Sequence, residues 1–104
     1  MESDQLRRAL WAGRFEWRKH VLTRLAEREI KQTDILEVLE RGEQIEEYSN
    51  DRPYPSALFF AMIRGRLHVV AAFDSREDWA YIITAYEPNL EEFEGDFKTR
   101  RRKT

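Results

Sequence analysis

Arg66-Leu67-His68-Val69-Val70-Ala71-Ala72-Phe73, followed closely by Tyr81-Ile82-Ile83-Thr84-Ala85-Tyr86, is the stretch whose reading decides the fold. Both runs are short and rich in β-branched and aromatic residues, so they read as neighbouring antiparallel strands. Ser56 to Ile63 reads as the strand before them, joined through Arg64-Gly65 as a two-residue hairpin turn. Gln44 to Tyr48 reads as the first strand, and Ser49-Asn50-Asp51-Arg52-Pro53-Tyr54-Pro55 as a turn-rich loop between them. The pattern predicts a four-stranded antiparallel sheet.

The first half of the chain reads as helix. Over residues 3–13, Leu6, Ala9 and Leu10 form one stripe, with Gly13 as the stop. Phe15-Glu16-Trp17 alternates and is either a brief strand or an extended link. Lys19 to Glu29 places Val21, Leu22, Leu25 and Ala26 at helical spacing. Thr33 is the expected N-cap of the next helix, with Asp34 in its first turn and Gly42 ending it as a C′ residue. Beyond Pro88-Asn89 a short helix carrying Phe93 and Phe97 is expected. The class is α+β: N-terminal helices packed on one face of the four-stranded sheet, then a short C-terminal helix, in one domain over residues 1–104.

Composition narrows the function. The chain holds 18 Lys+Arg and 20 Asp+Glu for a net charge of −2, which is not the basic excess of a general nucleic-acid coat protein. Charge is nonetheless segregated. Residues 87–96 hold five acids and no base, and residues 98–103 five bases and no acid. The tail from 98 to 104 reads either as solvated surface or as a phosphate-contacting arm in which Lys98, Arg100 and Arg101 bind substrate. No apolar run approaches a membrane span, and the acidic start Met1-Glu2-Ser3-Asp4 is not followed by a leader-like segment. With no cysteine, the expectation is a cytoplasmic protein without disulfides or thiolate metal sites.

Register puts chemistry on one face of the sheet. With Arg64-Gly65 as the turn, Ile63 faces Arg66, Ala61 faces His68 and Phe59 faces Val70. With the next turn centred near Glu77, His68 faces Tyr86 and Val70 faces Thr84. Leu58, Phe60, Met62, Leu67, Val69, Ala71, Phe73, Tyr81, Ile83 and Ala85 then pack on the helices. The opposite face, with Ala57, Ala61 and Ala72 beside Arg66, His68, Thr84 and Tyr86, forms an open trough. Two histidines without tight ligand spacing support no metal centre, and neither a nucleophile elbow nor a Gly-rich phosphate loop is present. No cofactor is expected. What remains is metal-free acid–base chemistry on a phosphodiester. His68 and Tyr86 exchange protons and Arg66 stands at the phosphate, with Thr84 beside them. The same residues equally read as a packed histidine, a core tyrosine and a surface arginine.

Two further groups could touch RNA. His20, Arg24 and Arg28, at i, i+4 and i+8, line a helix face that is either a phosphate contact or solvated surface. Arg52 and Tyr54, in a loop stiffened by Pro53 and Pro55, suit stacking on a base as well as a plain connection. Trp11, Trp17 and Trp79 read as core or edge packing.

His20-x-x-x-Arg24-x-x-x-Arg28-x-Ile30 and Asp34-Ile35-x-x-Val38-Leu39-x-x-Gly42 resemble the opening of the domain-of-unknown-function 4258 family. The resemblance continues through Ile45-Glu46-Glu47-Tyr48, Arg52-Pro53-Tyr54-Pro55-Ser56, Gly65-Arg66-Leu67-His68-Val69-Val70, Ile83-Thr84-Ala85-Tyr86-Glu87-Pro88 and Asp96-Phe97-Lys98-x-Arg100. It covers about Trp17 to Arg101. Val21, Leu25 and Glu29 stand where the family usually has Ala, often Met and often Gly. The resemblance implies a RelE/MqsR-like fold with one sheet face available to substrate. It also implies a toxin–antitoxin setting beside a zinc-finger antitoxin. The expected function is a toxin that cleaves mRNA as a metal-free endoribonuclease; the alternatives are a non-catalytic partner of the antitoxin or an RNA-binding module.

Overall fold

Three helices and five strands make up residues 3–102, which the computed structural model describes. In chain order they are α1 (Ser3–Trp11), β1 (Phe15–Trp17), α2 (Val21–Glu27), α3 (Gln32–Arg41), β2 (Glu43–Tyr48), β3 (Ser56–Met62), β4 (Arg66–Asp74) and β5 (Trp79–Tyr86). Met1, Glu2 and the last two residues of the basic tail, Lys103 and Thr104, lie outside the described residues. The sheet order is β1-β5-β4-β3-β2. It is α+β as expected, but five-stranded and mixed rather than four-stranded and antiparallel. The additional strand is Phe15-Glu16-Trp17, parallel to β5 with Phe15 opposite Ala80. Gly13, at φ 77, turns the chain out of α1, and Arg14 N–H returns to the Ala9 carbonyl. That turn lays β1 along an edge of β5 that would otherwise be unpaired. Among the described residues no helix is long and apolar enough to cross a membrane.

The hairpin between β3 and β4 differs from the expected one by a single residue. Met62 pairs with Arg66, so the loop is Ile63-Arg64-Gly65, with Arg64 at φ 52 and Gly65 at φ 132. A two-residue turn would have paired Ile63 with Arg66. Because side chains alternate, the slip exchanges the faces of β3. Ala57, Phe59 and Ala61 turn toward the helices, and Phe60, not Ala61, sits opposite His68. On β5, Val70 faces Thr84 and His68 faces Tyr86 as the register predicts. A bulge at Ile83 then brings Ile82 to the helix side, where Tyr81 and Ile83 were expected.

The core lies between that face and the helices. Leu6, Val21, Leu25, Ile35, Val38 and Leu39 pack on Phe59, Val69, Phe73 and Ile82, with Ala57, Ala71, Ala80 and Ala85 between them. Arg7 of α1 donates to the Leu39 and Gly42 carbonyls at 3.0 and 2.8 Å, which satisfies the end of α3.

The helix boundaries show what backbone strain the fold accepts. α2 is shorter than the expected Lys19–Glu29 because His20 (φ 74) and Glu29 (φ 57) both take left-handed backbone and bracket it. Glu29 N–H reaches Ala26 O, and Ile30 N–H reaches Leu25 O, the turn usually made with glycine. α3 starts one residue before Thr33, with Lys31 as N-cap. Gly42 is extended (φ −73), not left-handed, so its role is space: a Cβ there would lie 2.3 Å from the Val38 carbonyl oxygen and 2.9 Å from that of Phe60.

The expected C-terminal helix is replaced by a hooked segment whose Phe93 and Arg100 form a single antiparallel bridge. Asn89 and Asp96 side chains accept the N–H groups of Glu91, Glu92, Lys98 and Thr99, which draws the backbone into local turns instead of a helix.

Two substitutions test this account by urea unfolding. Glu29→Gly relieves a left-handed L-residue and raises stability by about 0.5–1 kcal/mol. Gly42→Ala forces two carbonyls aside and costs about 1–3 kcal/mol.

Candidate functional site

The sheet face turned away from the helices divides into a covered half and an open half. In the covered half β4 and β5 set His68 opposite Tyr86, with the Tyr86 Oη 3.4 Å from Nδ1. His68 Nε2 lies 2.7 Å from the Phe97 carbonyl oxygen. A carbonyl only accepts, so Nε2 carries the proton and Nδ1 is the acceptor, which is the neutral imidazole. Around the ring stand Phe93 at 4.6 Å, Tyr86 at 5.4 Å and Phe60 at 5.5 Å between centroids, all edge-on. His68 is 0% exposed.

This corrects the open alanine trough. The register slip moves Ala57 and Ala61 to the helix side, and residues 93–100 lie over what remains near His68. In this conformation no substrate reaches the ring. Burial pushes the His68 pKa below its ordinary 6.5, outweighing the Phe97 carbonyl and Glu46, which favour the charged form. Burial likewise pushes the Tyr86 phenol up, so it stays protonated at neutral pH. Arg66 is exposed, its guanidinium 4.1 Å from the Phe97 ring centroid.

Beside the ring is a polar cluster that the sequence reading missed. Arg100 makes two hydrogen bonds to the Glu46 carboxylate, at 3.0 and 3.1 Å, and the Tyr48 hydroxyl donates to the same carboxylate. Burial alone would raise the Glu46 carboxyl, but these hydrogen bonds outweigh it and hold it below the usual range. Burial and the neighbouring carboxylate push Tyr48 up to about 12. The one available signal was the acidic run followed by a basic run, which suits back-folding of the tail.

The tail residues read as a substrate arm fold back and are ion-paired at the surface. Lys98 pairs with Glu43 at 3.2 Å, Arg100 with Glu46, and Arg101 with Glu94 at 3.0 Å. Of the helix stripe, His20 precedes α2, Arg24 lies on it and Arg28 caps its end and donates to the Ala85 carbonyl at 2.7 Å; all three are exposed.

The open half holds Arg52 and Tyr54 where the loop reading put them, and Thr84 between the two halves. Arg52 and Tyr54 border a cleft of about 210 Å³ floored by Val70, Ala72 and Ile83. Tyr54 stacks on Tyr81 with centroids 5.2 Å apart and planes at 4°. Arg18 lies 4.4 Å from the Tyr81 centroid. Tyr81 was missed because the Ile83 bulge, which aims it here, leaves no mark in the alternation, and Arg18 because β1, which it follows, pairs with β5 from far along the chain. Among the described residues no group of three or more His, Asp or Glu side chains is placed to hold a metal ion.

Residues 17–87 match the family model for the Domain of unknown function (DUF4258). No curated protein and no solved structure matches the chain. The segment over His68 lies beyond the matched stretch.

The neutral ring makes stability depend on pH. The unfolded chain takes up the His68 proton near pH 6.5 and the folded one only at lower pH. The contribution is complete above the unfolded value and is lost as pH falls through the folded one. Urea unfolding of wild type therefore loses stability from about pH 6.5 downward, and His68→Phe flattens that fall; equal slopes would exclude His68 as its source.

Proposed function

The chain belongs to that family, and we propose that it is the toxin of a toxin–antitoxin pair. On this reading it is a metal-free endoribonuclease of RelE/MqsR-like fold that acts on mRNA, and its own C-terminal segment holds it shut. The face-to-face register of His68 and Tyr86, two groups suited to proton exchange, carries the reading. Arg66 stands two residues before His68 on the same strand face. The antitoxin is then a zinc-finger protein, as the resemblance implies.

The chemistry follows from the protonation states. Lifting the segment frees Nε2, which in the other neutral tautomer takes the proton of a ribose 2′-hydroxyl. The 2′-oxygen attacks phosphorus, and the bond to the 5′-oxygen breaks. Tyr86 gives its proton to that leaving oxygen, while Arg66 balances the charge on the phosphoryl oxygens. The products are a 2′,3′-cyclic phosphate and a 5′-hydroxyl. Under the cover the imidazole is held neutral and the phenol protonated, the states from which a base and an acid start at neutral pH.

The cover is held unevenly. Phe93 is fully buried, a contribution of about 2–3 kcal/mol. The ion pairs of Lys98 and Arg101 are solvent-exposed and add about 0–1 kcal/mol each.

Complete enclosure of His68, with both ring nitrogens partnered, favours a second reading. There the histidine only pins the C-terminal segment, and the chain is a silent partner that binds RNA or an antitoxin.

Release of the cover separates the two. A Phe93→Ala/Arg100→Ala variant, incubated with labelled RNA in the presence of EDTA, cleaves it at least tenfold faster than wild type and leaves 5′-hydroxyl ends. Adding His68→Gln abolishes the cleavage. Intact RNA with both the folded wild type and the folded released variant selects the silent partner.

A further inference from the structure

We infer that Tyr54, Arg18, Arg52 and Asp51 form a subsite for one ribonucleotide unit of single-stranded RNA, on the open half of the sheet. The inference rests on the reading of the protein as acting on RNA, and it adds a binding place remote from the covered histidine.

Each part of the cleft suits a different part of a nucleotide. Tyr54 lines the cleft and Tyr81 does not, so Tyr81 braces the other ring at 5.2 Å and 4° and fixes its plane. A base laid on Tyr54 extends that stack, which is sequence-tolerant because every base has a π-face. The floor of Val70, Ala72 and Ile83 is apolar, as the underside of a base requires. At about 210 Å³ the cleft is smaller than the roughly 300 Å³ at which drug-sized pockets begin, and it fits a single ring system.

The two guanidiniums supply the charge. Arg18 is held over Tyr81 at 4.4 Å without an acidic partner among the described residues. Arg52 is exposed and makes no ion pair or side-chain hydrogen bond among them. By contrast Arg14, Arg64, Arg100 and Arg101, elsewhere on the surface, are each paired to an acid. Two unpaired arginines at one apolar cleft suit a phosphate. Asp51, the one acid there, accepts the Ser56 hydroxyl through Oδ2 and is held in place by it. A carboxylate repels phosphate but accepts a ribose hydroxyl, which selects RNA over DNA.

Titrating fluorescein-labelled octa-adenylate, octadeoxyadenylate and AMP into the full chain tests the subsite by anisotropy and competition. Wild type binds the RNA octamer more tightly than the DNA octamer, and AMP competes weakly. Tyr54→Ala weakens RNA binding about tenfold, while Tyr54→Phe retains it. Arg52→Ala weakens binding and reduces its salt dependence. Thermal unfolding confirms that each variant is folded. RNA binding unchanged in folded Tyr54→Ala and Arg52→Ala overturns the subsite while leaving an RNA-acting protein. Binding that depends on Tyr54 and Arg52, without cleavage by the cover-released variant, keeps the subsite and overturns the endoribonuclease. Absence of binding to any of the three probes overturns the subsite.

Discussion

A hydrogen bond from the His68 Nε2–H to the Phe97 carbonyl sets the form of the exposed side of this sheet. It is made in a dry aromatic box, where leaving either group unpaired is costly. It binds β4 to a chain segment that has no helix or strand of its own. Phe93 and Phe97 follow it onto the sheet, and the Glu46–Arg100 pair seals the margin. The result is one face with two characters. One end is aromatic and shut; the other is a shallow cleft between arginines.

That box exists because of a loop one residue longer than a tight hairpin. Ile63-Arg64-Gly65 puts Phe60 opposite His68, and the imidazole meets an aromatic edge where a two-residue turn would have given it an alanine. The same shift sends small residues to the other face. There Ala57 and Ala61 let α3 approach β3 and β4, and Gly42 gives the closest approach of all. One turn therefore shapes both the core and the site, because strand side chains alternate strictly.

Charge is distributed to match. Lys98 and Arg100 of the basic run answer the acids Glu43 and Glu46 of β2, and Arg101 answers Glu94, so the run stabilises a fold-back. Arg18, Arg52 and Arg66 on the sheet face have no acidic partner among the described residues. A slightly acidic chain thus carries cations at both ends of this face, which net charge alone conceals.

Much of the fold was legible in the sequence. Alternation placed β2 to β5 within a residue or so, helical spacing found α1 to α3, and the pairing of His68 with Tyr86 followed from turn positions. These are local properties, written in periods of two and 3.6 residues. What the tertiary structure alone decided was everything that depends on a second segment arriving from far along the chain. Phe15–Trp17 became a strand only because β5 offered it an edge, and Asn89 and Asp96 unmade the expected helix by capping their own turns. His68 is open or enclosed according to whether residues 93–100 fold over it. That is settled by one buried ring, one carbonyl and one ion pair, none of which has a period to be read.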